Sequence, residues 1–159
     1  MTDSAIGRRL AELGITLPPV AAPVASYVPA VVTGHYVYTS GQLPFVDGAL
    51  PVTGKVGDGD GLVDPGVAAA AARTCALNAL AAVQDVVGDL DRVVRVVKVV
   101  GFVASDPSFT GQPAVVNGAS TVIGEIFREA GIHARSAVGV AALPLDAPVE
   151  VELVVEIDG

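Results

Sequence analysis

The sequence predicts an α+β fold in which one β-sheet lies under two helices. Two segments, 64–88 and 112–131, place helix-starting and helix-stopping residues around bodies rich in Ala and Val. The segment RVVRVVKVVGFVA (92–104) is apolar on both faces, as a strand must be when both of its sides are covered. In the last third, Val138, Val140 and Ala142 alternate in one run and Val149, Val151, Leu153, Val155 and Ile157 in another, which is the period of β-strands.

The remaining elements follow in chain order. SAIGRRLAEL (4–13) suits a short helix stopped by Gly14, and ITLPPVAAPVA (15–25) reads as a Pro-rich extended arm packed on the surface. Strands are predicted near 27–33 and 35–40, divided by Thr33-Gly34. Residues 45–63 hold Gly48, Gly54, Gly57, Gly59 and Gly61 with acids between them, a long loop with an optional short strand near 49–53. Asp64 is the expected N-cap of the long helix, with Pro65 in its first turn and Gly88 at its stop. The strand 92–104, a second helix over 112–130 and strands over 133–143 and 148–157 complete the order ββαβαββ. A chain of 159 residues is most simply one domain. The sheet face away from the helices stays too apolar for water, and self-association through that face is the simplest remedy.

Composition excludes several function classes. Seventeen acidic residues against nine basic ones give a net charge of −8, which opposes nucleic-acid binding. The one basic grouping, Arg92, Arg95 and Lys98, is threaded through the valines of a strand. Hydrophobic residues make up 52% of the chain, but no segment of ~18 charge-free apolar residues demands a membrane span, and GVAAAAA (66–72) ends at Arg73. The first residues, MTDSAIGRRLAELG, carry their positive charges inside an amphipathic pattern without an apolar signal core, so a cytoplasmic protein is expected. Cys75, the only cysteine, has neither a local His nor a CxxC partner and reads as a buried inert thiol. Two His and one Cys without ligand spacing predict no metal. GKVGDGDG (54–61) lacks the Gly-Lys-Ser/Thr ending of a phosphate cradle and the closing Glu of a calcium loop. It is read as a solvated loop, and no cofactor is expected.

Arg135 and Glu150 stand out because each interrupts an apolar strand. Arg135 lies on one side of its run with Ala137 and Gly139, and Glu150 lies with Glu152 on the side of its own run away from the valines. A lone Arg among small residues suits a planar anion such as a carboxylate. A structural Arg–Glu pair across neighbouring strands explains the same spacing. His133 is expected at a strand end or helix cap without catalytic duty, and His35 in a solvent-facing turn.

With the segment YVPAVVTGHYVYTSGQLP (27–44), these residues resemble the RidA/YjgF/UK114 family of small enamine and imine deaminases. Tyr27 stands at the family's substrate-side Tyr, Ser40-Gly41-Gln42 at its Ser-Gly-Gln strand end, and Asn117 at its helix Asn. Ala134-Arg135-Ser136 matches the Ala-Arg-Ser signature, and Leu143-Pro144 with Glu150 and Glu152 the Leu-Pro…Glu-x-Glu ending. The chain departs from the pattern at Ala25-Ser26, where Gly-Pro is usual, at Pro29, a common Gln position, and at His133, where Pro is usual. Its longer 45–65 segment suggests a long-loop branch.

The resemblance implies a chorismate-mutase-like fold with one mixed sheet. It also implies a homotrimer with a barrel-like centre and active sites in the clefts between subunits. Arg135 would grip a substrate carboxylate and Glu150 would position or polarise water, with Tyr27, Ser40, Gly41, Asn117 and Ser136 lining the site. The implied reaction is hydrolysis of 2-aminoacrylate-type enamines and imines to 2-oxo acids and ammonia. A non-catalytic module sensing a 2-oxo acid through the same Arg135 cleft is the alternative. An endoribonuclease, a label some family members carry, ranks below both on charge.

Overall fold

The computed structural model describes residues 3–20 and 26–159, so the end of the Pro-rich arm (21–25) lies outside the described residues. Helix α1 (Ala5–Glu12) opens on Ser4, whose hydroxyl accepts from the Gly7 amide. Its first amides, Ala5 and Ile6, donate to the Asp91 carboxylate at 2.8 and 2.7 Å, which pins the helix to the 3₁₀ turn Leu90–Arg92. Strands β1 (Ala30–Thr33) and β2 (Tyr36–Thr39) form a hairpin around Gly34-His35. Helix α2 (Pro65–Val87) starts at Asp64, whose carboxylate accepts from Gly66 and Val67, and stops at Gly88. Strand β3 (Val93–Ala104), helix α3 (Gln112–Phe127) with a 3₁₀ turn to Gly131, and strands β4 (Ala134–Val140) and β5 (Val149–Ile157) follow.

The five strands lie in the order β1-β2-β5-β3-β4, with β3 and β4 parallel and the other neighbours antiparallel. The mixed sheet under two helices matches the predicted architecture. The optional strand near 49–53 does not form. Instead single bridges, Val46 to Ala49 and Val56 to both Val63 and Ser105, tack the loop down. A second correction concerns β4 and β5. They are not neighbours, because β3 runs between them, so no Arg135–Glu150 pair across adjacent strands exists.

β5 is the central strand and sets the core. Val149, Val151, Leu153, Val155 and Ile157 are buried under the helices, while the residues between them are half-exposed on the other face. They meet Ala72, Cys75, Ala76, Ala79, Leu80 and Val83 of α2 and Val115, Val116, Ala119 and Ile123 of α3. Cys75 is fully buried and its Sγ faces the Val149 carbonyl at 3.7 Å. Burial above all, and then the nearby Glu150 charge, push its thiol well above the ordinary range, as an inert core thiol requires. Helix α2 is long and apolar enough to cross a membrane by length and composition, but its buried side chains are the roof of this core.

Among the described residues nothing covers the opposite face. Tyr36, Tyr38, Val31 and Val138 stand exposed there, with Val154, Val100 and Phe102 between them half-buried. In β4 the alternation therefore runs opposite to that in β5: Val138 faces outward, and Arg135, Ala137 and Gly139 face the helices.

The helices touch most closely at Gly118, where an added Cβ would lie 1.9 Å from the Ala69 carbonyl oxygen. Backbone cannot swing aside as a side chain does. Gly118→Ala is expected to cost about 1–3 kcal/mol through forced separation of α2 and α3. Gly124→Ala, in the same helix with open space at its Cβ, should instead gain up to about 1 kcal/mol. Urea denaturation of the two variants checks this pair, and equal effects would contradict the close helix contact.

Candidate functional site

The predicted site residues fall into two groups on opposite faces of the sheet. The first gathers at the β4 edge under α3. Arg135 is level with Val99, whose side chain is in the core, so its guanidinium is directed to the helix side. There Nη1 donates to Asn117 Oδ1 at 2.7 Å and to Ser120 Oγ at 3.3 Å, and Nη2 donates to the Pro113 carbonyl at 3.3 Å. A guanidinium only donates, so Asn117 must turn its oxygen toward Arg135 and its NH₂ away. Three of the five N–H groups are thereby held by one helix. The Nε–H and one Nη2–H have no protein partner among the described residues, and Nε and Nη2 lie along one edge of the guanidinium plane. That edge has the spacing of the two oxygens of a carboxylate.

The second group sits near the end of β2 on the face without helices. Glu150 is level with Phe102, half-buried, and its carboxylate rests over Gly41. A Cβ at Gly41 would fall 1.9 Å from Glu150 Oε1, so any larger residue there would displace this carboxylate from its present position. Ser40 donates through its amide to Pro29 at 2.8 Å and through its hydroxyl to the Val28 carbonyl at 2.6 Å. These two bonds tie the segment carrying the exposed Tyr27 to the strand end beside Gly41. Ser136 and Glu152 are also on this face, flanking Val100 from its two sides.

One chain does not unite the groups. Arg135 and Glu150 are three residues apart along β3, about 10 Å, and project from opposite faces. Sequence reasoning named Asn117 but missed Ser120 and gave His133 no role at the site. The signal was present in the spacing, since Asn117 and Ser120 are one helical turn apart and share a face. His133 Nε2 is 2.9 Å from Ser120 Oγ, which places this histidine against the Arg135 cluster. His35 is exposed in the β1–β2 turn, as expected. No group of three or more His, Cys, Asp or Glu able to hold a metal occurs among the described residues.

The family model described as "YjgF/chorismate_mutase-like, putative endoribonuclease" matches residues 7–157, nearly the whole chain. The chain belongs to this family. Protein TCP17 of Trypanosoma cruzi is 47% identical over 154 residues, covering 96% of this chain and 94% of that protein. The crystal structure of Atu1372 from Agrobacterium tumefaciens, a protein of unknown function, has a TM-score of 0.87 at 49% identity, covering 96% and 92% of the two chains. A structure from Shewanella oneidensis superposes with a TM-score of 0.90 at 32% identity, covering 97% of this chain and all of that one. The family match thus spans both groups of residues and the loop between them.

Burial lifts the Glu150 carboxyl above its usual range, and the charge of Glu152 adds to the effect. A carboxyl raised on folding contributes its stability fully below its unfolded pKa and loses it as pH rises through the folded value. Glu150→Gln should therefore have a higher Tm than the wild type at pH 7. The gap should close as the pH falls from that raised value toward the ordinary glutamate value of 4.5. Thermal melts across pH check the sign, and a gap that grows toward acid contradicts it.

Proposed function

We propose that this YjgF-family protein hydrolyses small enamines and imines of 2-amino acids, of the 2-aminoacrylate type, to 2-oxo acids and ammonia. The observation that carries the reading is the Arg135 fork, clamped from one side by α3 and open along its Nε–Nη2 edge. A 2-imino acid offers a carboxylate for that edge and, on the adjoining carbon, an electrophilic C=N bond.

The chemistry asks little more. The enamine CH₂=C(NH₂)–COO⁻ takes a proton at its terminal carbon and becomes the iminium CH₃–C(=NH₂⁺)–COO⁻, water adds to that carbon and gives up a proton, and the tetrahedral adduct passes its hydroxyl proton to nitrogen as it expels ammonia and leaves the 2-oxo acid. Each step moves one proton to or from water or substrate. A carboxyl with a raised pKa, such as Glu150, suits both directions of transfer. Asn117, with its NH₂ turned away from Arg135, is a donor for the carboxylate or the adduct.

The separation of Arg135 from Glu150 supports a site completed by a second copy of the chain. In this reading one subunit supplies Arg135, Asn117 and their neighbours, and the next supplies Glu150, Gly41, Ser40 and Tyr27. The uncovered face with Tyr36, Tyr38 and Val138 supplies a surface for association, and the assembly is a homotrimer, as in the resemblance. Leaving such a face wet forfeits about 25 cal/mol for each Å² of apolar surface.

A ribonuclease reading meets the same obstacle in three dimensions as in composition. Arg9, Lys55 and Arg92 each face an acidic partner, and Arg95 lies opposite Glu156 in the sheet.

The test is release of 2-oxo acid from imines generated by an amino-acid oxidase or lyase, with and without the protein. Arg135→Lys keeps the charge but loses the fork, and should cost about a hundredfold in kcat/KM, the scale of one lost positioning interaction of ~3 kcal/mol. Glu150→Gln should lower kcat more than it weakens binding of an inert carboxylate, and Glu152→Gln should matter less. Full activity in Arg135→Lys would overturn the reading.

A further inference from the structure

We propose that Ser120 and His133 form a positioning relay that sets the orientation in which Arg135 presents its open edge. The inference rests on the carboxylate-binding reading of Arg135, and its first readout is independent of that reading. With the His133 ring neutral, each proton in the cluster can be assigned from its partners. Arg135 Nη1 can only donate, so at 3.3 Å Ser120 Oγ must accept from it. The single proton of the Ser120 hydroxyl is then free for another acceptor, and His133 Nε2 stands 2.9 Å away. On the far side of the ring His133 Nδ1 is 2.6 Å from the Gly131 carbonyl oxygen, which can only accept, so Nδ1 carries the ring proton. A neutral imidazole protonated at Nδ1 leaves Nε2 with the lone pair that the Ser120 hydroxyl needs.

The result is one directed chain: Arg135 to Ser120, Ser120 to His133, and His133 to the backbone carbonyl that closes the turn after α3. Each donor polarises the next, which strengthens the series. Asn117 holds the same Nη1 from one turn earlier in the helix. The guanidinium is thus fixed by two side chains of α3, and the second of them is braced by His133, the residue just before the strand that carries Arg135. His133 touches neither the open edge nor the reacting position in this arrangement. It acts through Ser120.

The experiment compares wild type, Ser120→Ala, Ser120→Thr and His133→Ala. Long-range proton–nitrogen NMR of the wild type near neutral pH should show His133 as a neutral ring with its proton on Nδ1. A proton on Nε2 would overturn the relay whatever the substrate. The side-chain Nε–H signal of Arg135 should be sharp in the wild type and in Ser120→Thr, and broadened in Ser120→Ala and His133→Ala, with the rest of the amide spectrum unchanged. Calorimetry with 2-oxobutanoate should show the same order: affinity weaker by about threefold to tenfold in the two alanine variants, the scale of one lost hydrogen bond, and restored in Ser120→Thr. Unchanged Arg135 signals in both alanine variants would refute the positioning role. Failure of the wild type to bind any 2-oxo acid, with the NMR signals as expected, would refute the carboxylate reading and leave the relay standing.

Discussion

The register of β5 against β3, and of β3 against β4, determines what the rest of the molecule can do. Side chains alternate between sheet faces, so a register decides the face of every residue, and a slip of one residue reverses them all. Here the register is held by the buried set on β5, Val149 through Ile157, which meets the alanines of α2 and the valines of α3. With that set inside, Glu150 and Glu152 must point to the other face. Because Val99 is in the core and Arg135 is level with it, Arg135 must point to the helices. Two residues that the proposed reaction needs together are thus held apart by the same packing that folds the chain.

That separation gives each charged group a different environment. Arg135 lies at the open edge of the sheet, where helix α3 takes up three of its donors and leaves one edge of the fork unused. The helix can approach so closely because Gly101 of β3 carries no side chain at the point where Val116 presses on the sheet; a Cβ there would lie 2.4 Å from Val116 Cγ2. Glu150 is placed instead beside Phe102 and over Gly41, partly removed from water and close to a second carboxylate. The fork keeps a fixed charge while the carboxyl is shifted toward exchanging protons. A reaction that needs an anchored carboxylate and a mobile proton uses both.

Much of this was legible in the sequence, and for identifiable reasons. The Asp64, Pro65 and Gly88 signals bounded α2, and strict alternation identified β5 as half-buried. The order and spacing of the motifs pointed to the YjgF family, which the match over residues 7–157 establishes. Which strands lie side by side was not legible, because the two terminal strands are adjacent in sequence but separated in space by β3. Spacing alone therefore left an Arg135–Glu150 pair open. Ser120 was missed because a serine in a helix reads as a weak helix former until its neighbours are known. His133 was set aside because its partner lies on another element.

The central claim is that the functional site is shared between chains, Arg135 coming from one and Glu150 from another. Mixing inactive variants tests it most directly. Arg135→Ala and Glu150→Gln chains, each inactive alone, would be co-expressed or refolded together and assayed for release of 2-oxo acid from an imine. Random assembly of trimers should restore about a quarter of wild-type activity, since every mixed trimer then contains one intact Arg135–Glu150 site. Mixed assemblies that form and remain as inactive as either parent would show that both residues must come from one chain, and the shared site would be wrong.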